Sequence, residues 1–139
     1  MTRRTLVEKV FQCIGSVYCV PEEYPDVWTS LIGSGPAFVA EIIDALVLGA
    51  VASGMSRDVA YKAVLDMIEG TVRLLKEVKN HLVEIRDKVT TPAGSIIKGL
   101  KVFETEGIKA GLMKVVEASY RRSREIGMEV DETLKSRIR

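Results

Sequence analysis

Histidine and cysteine are scarce in this 139-residue sequence, which has one histidine, His81, and two cysteines, Cys13 and Cys19. Their spacing fits no zinc pattern, so no metal site is expected. The two thiols are expected to be free and partly buried in a reducing, cytoplasmic setting. Net charge is also nearly absent. Twenty basic residues against 19 acidic ones give +1, which removes the electrostatic case for nucleic acid or an acidic membrane as partner. The start, "TRRTLVEKVFQCIG", carries charge first, but Glu8 and Gln12 break its apolar stretch, so no signal peptide is expected. The most apolar segment, Phe38 to Ala52, contains Glu41 and Asp44. It is too short to cross a bilayer comfortably and is expected as a buried helix. No series of strands alternates with helices, so no parallel sheet can be built. Internal repeats and low-complexity segments are missing as well.

What is present is a folding composition, 47% hydrophobic and 28% charged. The periodicity is helical almost throughout. Leu6, Val7, Val10, Phe11 and Ile14 mark a first helix, stopped near Gly15. "SVYCV", residues 16–20, is the best strand candidate, and "PEEYPD" reads as a loop. Pro36 opens a long helix that Gly54 closes; it is apolar almost all round and should be surrounded by protein. Ser56 is placed to cap the next helix, with Ala60, Val64, Ile68, Leu75 and Val78 on one stripe and a Glu69–Arg73 pair outside it. Leu82, Ile85 and Val89 share a face of a short helix. After "TTPAGS", Ile96, Ile97, Leu100 and Phe103 share another, stopped by Gly107. Ile108, Leu112, Val115 and Ser119 line the last long helix. The tail keeps Val130, Leu134 and Ile138 at i,i+4 spacing, as one more helix or a frayed end. The fold class is all-α, with at most one stray strand near the start.

Two glycine-bearing segments precede helices. "GSGPAF" begins like a dinucleotide fingerprint, but its third glycine position is Phe38 and no second strand follows. Gly33 and Gly35 would allow positive φ and close backbone approach, Ser34 adds a hydroxyl, and the helix start beyond Pro36 would present free N–H groups. In "VTTPAGSII", Pro92 pushes Thr91 out of helical geometry. The N–H groups of Gly94, Ser95 and Ile96 would be orphan donors suited to a carboxylate. An ordinary tight turn explains either spacing equally well.

Taken together, "SLIGSGPAFVAEIIDAL", then "EIRDKVTTPAGSIIKGL", then "FETEGIKAGLMKVVEASYRRSREI" resemble pyrroline-5-carboxylate reductase, in order and from about Leu6 to Ile126. The resemblance is to that family's helical dimerisation domain, not to its dinucleotide fold. It implies residues 1–30 as a remnant of the linker and last Rossmann helix and strand, 31–127 as the helical dimerisation and substrate domain, and 128–139 as a tail. In that picture Thr90, Thr91, Gly94, Ser95 and Ile96 hold the substrate carboxylate, and Gly33, Ser34, Gly35 and Pro36 line the pocket near the nicotinamide. No catalytic residue is assigned with certainty. The second segment departs from the family's P-G-G-[TA]-T: Ala93 stands for a glycine, which argues against positive φ there, and Ile96 stands for a threonine.

The resemblance implies reduction of pyrroline-5-carboxylate to proline with NADPH or NADH. This chain alone is expected neither to bind the cofactor nor to catalyse. It also implies a homodimer or higher oligomer, working with a Rossmann domain that is missing from this sequence or separate from it. The competing readings are a helical scaffold without catalysis and part of a related imine reductase with a different small acid as substrate.

Overall fold

The computed structural model describes residues 3–78 and 81–138. Among the described residues seven α-helices follow one another: α1 (Arg3–Gln12), α2 (Pro25–Trp28), α3 (Gly35–Ala52), α4 (Arg57–Val78), α5 (Leu82–Val89), α6 (Ser95–Thr105) and α7 (Ile108–Ile138). A π-helical turn, Thr29–Gly33, joins α2 to α3. Among the described residues there is no strand. Residues 16–20 run as irregular chain, contrary to the strand expectation, because β-rich composition needs a partner edge and this fold offers none. What anchors the segment instead is Tyr18, whose ring lies 5.2 Å from that of Trp28. The two thiols are exposed, not partly buried.

The stops fall where the sequence places them. Gly54 and Gly107 take left-handed φ values of 100° and 63°, a conformation that costs most other residues about 1–2 kcal/mol. The Ser56 carbonyl accepts from Ala60 N at 2.9 Å to start α4. The expected Glu69–Arg73 pair forms on an exposed helix face, and Glu117 pairs with Arg121 in the same way on α7.

Two helix boundaries were not legible. Pro25 opens α2 at a position where a missing N–H costs nothing, so "PEEYPD" is only partly a loop. "GSGPAF" is not a loop at all. Ser34 N bonds to Thr29 O at 3.1 Å, five residues back, and the helix continues into α3. The π turn carries one extra residue, which lets a helix run on into a proline that would otherwise break it. Residues Pro25–Ala52 thereby form one helical stretch long and apolar enough, by length and composition, to cross a bilayer. The expectation that this segment is too short does not hold. Three acids, Asp26, Glu41 and Asp44, interrupt it, and Asp44 is paired with Arg57 at 2.8 Å.

At the other end α7 is a single helix about 46 Å long. It passes through Gly127, and the exposed Arg122 bonds Glu125 at 3.1 Å and Glu129, beyond that glycine, at 2.8 Å. The hydrogen bond from Arg122, and secondarily the Arg122 charge, hold the Glu129 carboxyl below its usual range.

α3 packs on α4 around Val47, Ala60 and Val64, with Ile43, Ala50 and Ile68 half-buried beside them. α7 lies against the π turn, α2 and α6. The core stops there. Val39, Leu46, Leu48 and Val51 of α3 are exposed, so this helix is not surrounded by protein within one chain. The chain exposes 11696 Å². A compact monomer of 15.3 kDa exposes about 7,100 Å², leaving a surplus of roughly 4,500 Å².

Candidate functional site

The first segment is built by the π turn. Ser30 is fully buried and donates to Val27 O at 2.8 Å. Ser34 and Ser119 of α7 share a hydrogen bond at 3.2 Å, and Ser123 donates to Asp26 at 3.4 Å. These hydroxyls form a polar seam along a groove of about 570 Å³ whose apolar wall includes Phe38, Val115 and Ile126. Ser119 and Ser123 were not singled out in sequence as seam residues; their i,i+4 spacing on α7 was the available signal.

Neither glycine of this segment has positive φ. Ala37 N and Phe38 N both bond to Ser34 O, at 3.1 and 3.4 Å, so the free helix-start donors expected beyond Pro36 are occupied. Gly35 has open space where a Cβ would point. Nothing within this chain demands a glycine there.

The second segment keeps the expected turn. Thr90 caps the end of α5 in extended geometry, and its hydroxyl donates to Arg86 O at 2.7 Å. Gly94 N bonds to Thr91 O at 3.1 Å. Gly94 is extended and has no side chain to cap α6, so Ser95 and Ile96 open that helix with uncapped N–H groups. A Cβ on Gly94 would collide with Thr91 Oγ1 and lie 3.2 Å from the Thr91 carbonyl oxygen. The Thr91 hydroxyl is therefore packed directly against the start of α6.

Ala93 adopts φ 58°. The alanine does not abolish the left-handed turn; the turn imposes it on the alanine. Ala93→Gly is expected to stabilise the chain by about 0.5–1 kcal/mol, read as a raised melting temperature. No rise would mean that the left-handed turn is not strained in solution.

Beside this turn, a groove of about 670 Å³ runs between α5 and α6, lined by Arg86, Thr90, Ala93, Ile97, Lys101 and Glu104 among others. Arg86 is tied to Asp87 at 2.7 Å. The Glu104 carboxyl is held below its usual range, first by a hydrogen bond from Lys109 at 2.7 Å and then by that charge. It stays ionised until pH falls below the ordinary carboxylate range, and any stabilisation it gives is lost as pH falls through that lowered value. The groove was missed in sequence because its walls come from different helices.

The two grooves share no lining residue. Each lies near α7, by way of the π turn in one case and α6 in the other. No group of three histidine, cysteine, aspartate or glutamate side chains among the described residues could hold a metal.

The fold and its two glycine-marked segments define an all-α domain whose apolar helix faces outrun its own core. Residues 22–126 match the family model described as pyrroline-5-carboxylate reductase dimerisation, and the chain belongs to that family. It is 43% identical over 118 residues to a pyrroline-5-carboxylate reductase of Synechocystis sp., a match covering 85% of this chain and 44% of the relative. To that of Aquifex aeolicus it is 37% identical, covering 88% of this chain and 46% of the relative. Among solved structures, the Plasmodium falciparum pyrroline carboxylate reductase with NADP bound superposes with a TM-score of 0.84 at 29% identity, over 89% of this chain and 50% of that one. The Streptococcus pyogenes 1-pyrroline-5-carboxylate reductase, at 23% identity and a TM-score of 0.85, shares the fold. The chain thus spans about half the length of the reductases it matches.

Proposed function

We propose that this chain is the C-terminal helical half of a cytoplasmic pyrroline-5-carboxylate reductase, with residues 31–127 as the working domain and 1–30 as the junction toward a dinucleotide-binding domain. The observation that carries the reading is the built turn at Thr90–Ile96, falling inside the family match. The substrate carboxylate is held at the start of α6. Thr90 and Gly94 have already used their hydrogens within the chain. The donors are therefore Thr91 Oγ1 and the N–H groups of Ser95 and Ile96, favoured by the positive end of the helix. Hydride comes from NADPH or NADH, held mostly by the dinucleotide domain. Gly33, Ser34, Gly35 and Pro36 lie on the nicotinamide side, where the open space over Gly35 admits a close neighbour. The protein's work in this reduction is positioning and electrostatics.

The chain acts as a homodimer. The roughly 4,500 Å² of surplus surface per chain exceeds what one chain can hide, and a pair brings about 9,000 Å², enough to supply an obligate interface, which runs about 2,000–5,000 Å² or more counted over both partners. The apolar stretch Pro25–Ala52 is buried between subunits in this reading, not in lipid.

The test joins this chain to the dinucleotide half of the Synechocystis relative. The chimera is expected to reduce pyrroline-5-carboxylate, with Thr91→Ala raising KM about tenfold, the scale of one lost charge-assisted hydrogen bond. The isolated chain is expected to show no NADPH binding by calorimetry at micromolar concentration. A folded but inactive chimera would favour the scaffold reading.

A further inference from the structure

α7 grips the π turn on both sides. Before the turn, the Ser123 hydroxyl donates to Asp26 of α2 at 3.4 Å. After it, Ser34 and Ser119 share a shorter hydrogen bond of 3.2 Å. Ser119 and Ser123 stand four residues apart on α7 and so project to the same side. Both contacts are half-buried, and both join residues far apart in sequence.

Little else fixes Ser34 sideways. Its N–H is spent on Thr29 O, and its carbonyl accepts from Ala37 and Phe38. Those bonds lie within one helical stretch and hold whichever way that stretch rolls against α7. Phe38, Val115 and Ile126 supply the apolar wall of the groove between them. Apolar contact is non-directional, so it keeps the stretch near α7 without fixing its rotation. A hydrogen bond is directional. Among the described residues the Ser34 and Ser119 hydroxyls have no partner but each other.

We propose that Ser119 is a positioning residue: through the Ser34 hydroxyl it sets the rotation of the Gly33–Pro36 segment, and with it the placement of the nicotinamide that this segment faces. That role rests on the reductase reading; the bond itself does not. Hydride transfer depends steeply on geometry, and a misplacement of about 1 Å can cost about a hundredfold in rate. Ser119 touches neither substrate nor cofactor in this reading. The turn at Thr90–Ile96 takes no part in these bonds, so carboxylate binding is left intact. Loss of the Ser119 hydroxyl is therefore expected to show in turnover and not in substrate affinity.

The test has two arms. In the full chain, amide hydrogen exchange is followed by NMR. Ser119→Ala is expected to speed exchange at Ser34 and Ala37 about fivefold, the scale of one lost hydrogen bond, and to leave the amides of α4 unchanged. Ser119→Thr keeps a hydroxyl and should restore protection. A uniform rise that includes α4 would mark a merely structural residue and overturn the proposal, and so would no change at Ser34. In the chimera with the dinucleotide half of the Synechocystis relative, Ser119→Ala is expected to lower kcat about tenfold, with KM for pyrroline-5-carboxylate within about twofold of the parent. Ser119→Thr should recover most of the rate. Thr133→Ala, which removes a hydroxyl bonded within its own helix, should change neither constant. An active chimera whose kcat is indifferent to Ser119→Ala overturns the proposal. A parent chimera without activity overturns the reductase reading and the catalytic role with it, while the exchange arm still decides the contact.

Discussion

Val47→Glu is expected to unfold the chain. Val47 is 1% exposed at the centre of the α3–α4 contact, against Ala60 and Val64. A carboxylate there loses its water and finds no cation among those neighbours, a cost of about 4 kcal/mol or more. Domains of this kind hold only about 5–15 kcal/mol in total. The core has no second layer to take up the change, since Val47, Ala60 and Val64 are its buried apolar residues among those described. Lys62→Glu, on the exposed side of α4, is the matched control and should move stability by no more than about 0.5 kcal/mol. Thermal melting followed by circular dichroism separates the two. A cooperative Val47→Glu transition within a few degrees of the parent would mean that α3 and α4 do not pack as described.

Gly94→Ala is expected to cost about 2 kcal/mol, and its effect should depend on Thr91. The added methyl collides with Thr91 Oγ1 and crowds the Thr91 carbonyl oxygen at 3.2 Å. Either Thr91 changes rotamer or the start of α6 moves. Both responses disturb the turn at which the carboxylate is proposed to bind. Thr91→Ala removes the hydroxyl half of the collision, so the double variant should recover part of the loss. The double-mutant cycle therefore gives a coupling energy of about 1 kcal/mol. Additive losses would show that the hydroxyl does not pack on Gly94.

Most of the helices were legible because their signals are local. Apolar spacing fixed the faces of α4 and α6, and Gly54 and Gly107 stop helices where left-handed φ is needed. The π turn was not legible. Glycine and proline are local signs of a loop, and only the packing of Ser30 and Ser34 under α7 makes a continuous helix the better solution. Residues 16–20 failed for the opposite reason, since strand propensity has no effect without an edge to pair with. Ala93 shows a third limit: an alanine accepts φ 58° when the flanking turn, Thr91 to Gly94, requires it. The turn at Thr90–Ile96 could be found from Pro92 and Gly94. Which of its donors remain free could not, because Thr90 and Gly94 spend theirs on Arg86 O and Thr91 O.

The apolar face of α3 was legible; what covers it was not, since a single chain leaves Val39, Leu46 and Leu48 exposed. A homodimer resolves that surplus and couples folding to association. Thermal melting over a hundredfold range of protein concentration, with light scattering on the same samples, tests this directly. The predicted result is a melting temperature that rises with concentration and a mass of twice 15.3 kDa, or a whole multiple of that pair. A well-folded species of 15.3 kDa at micromolar concentration, melting at one temperature throughout, would contradict it.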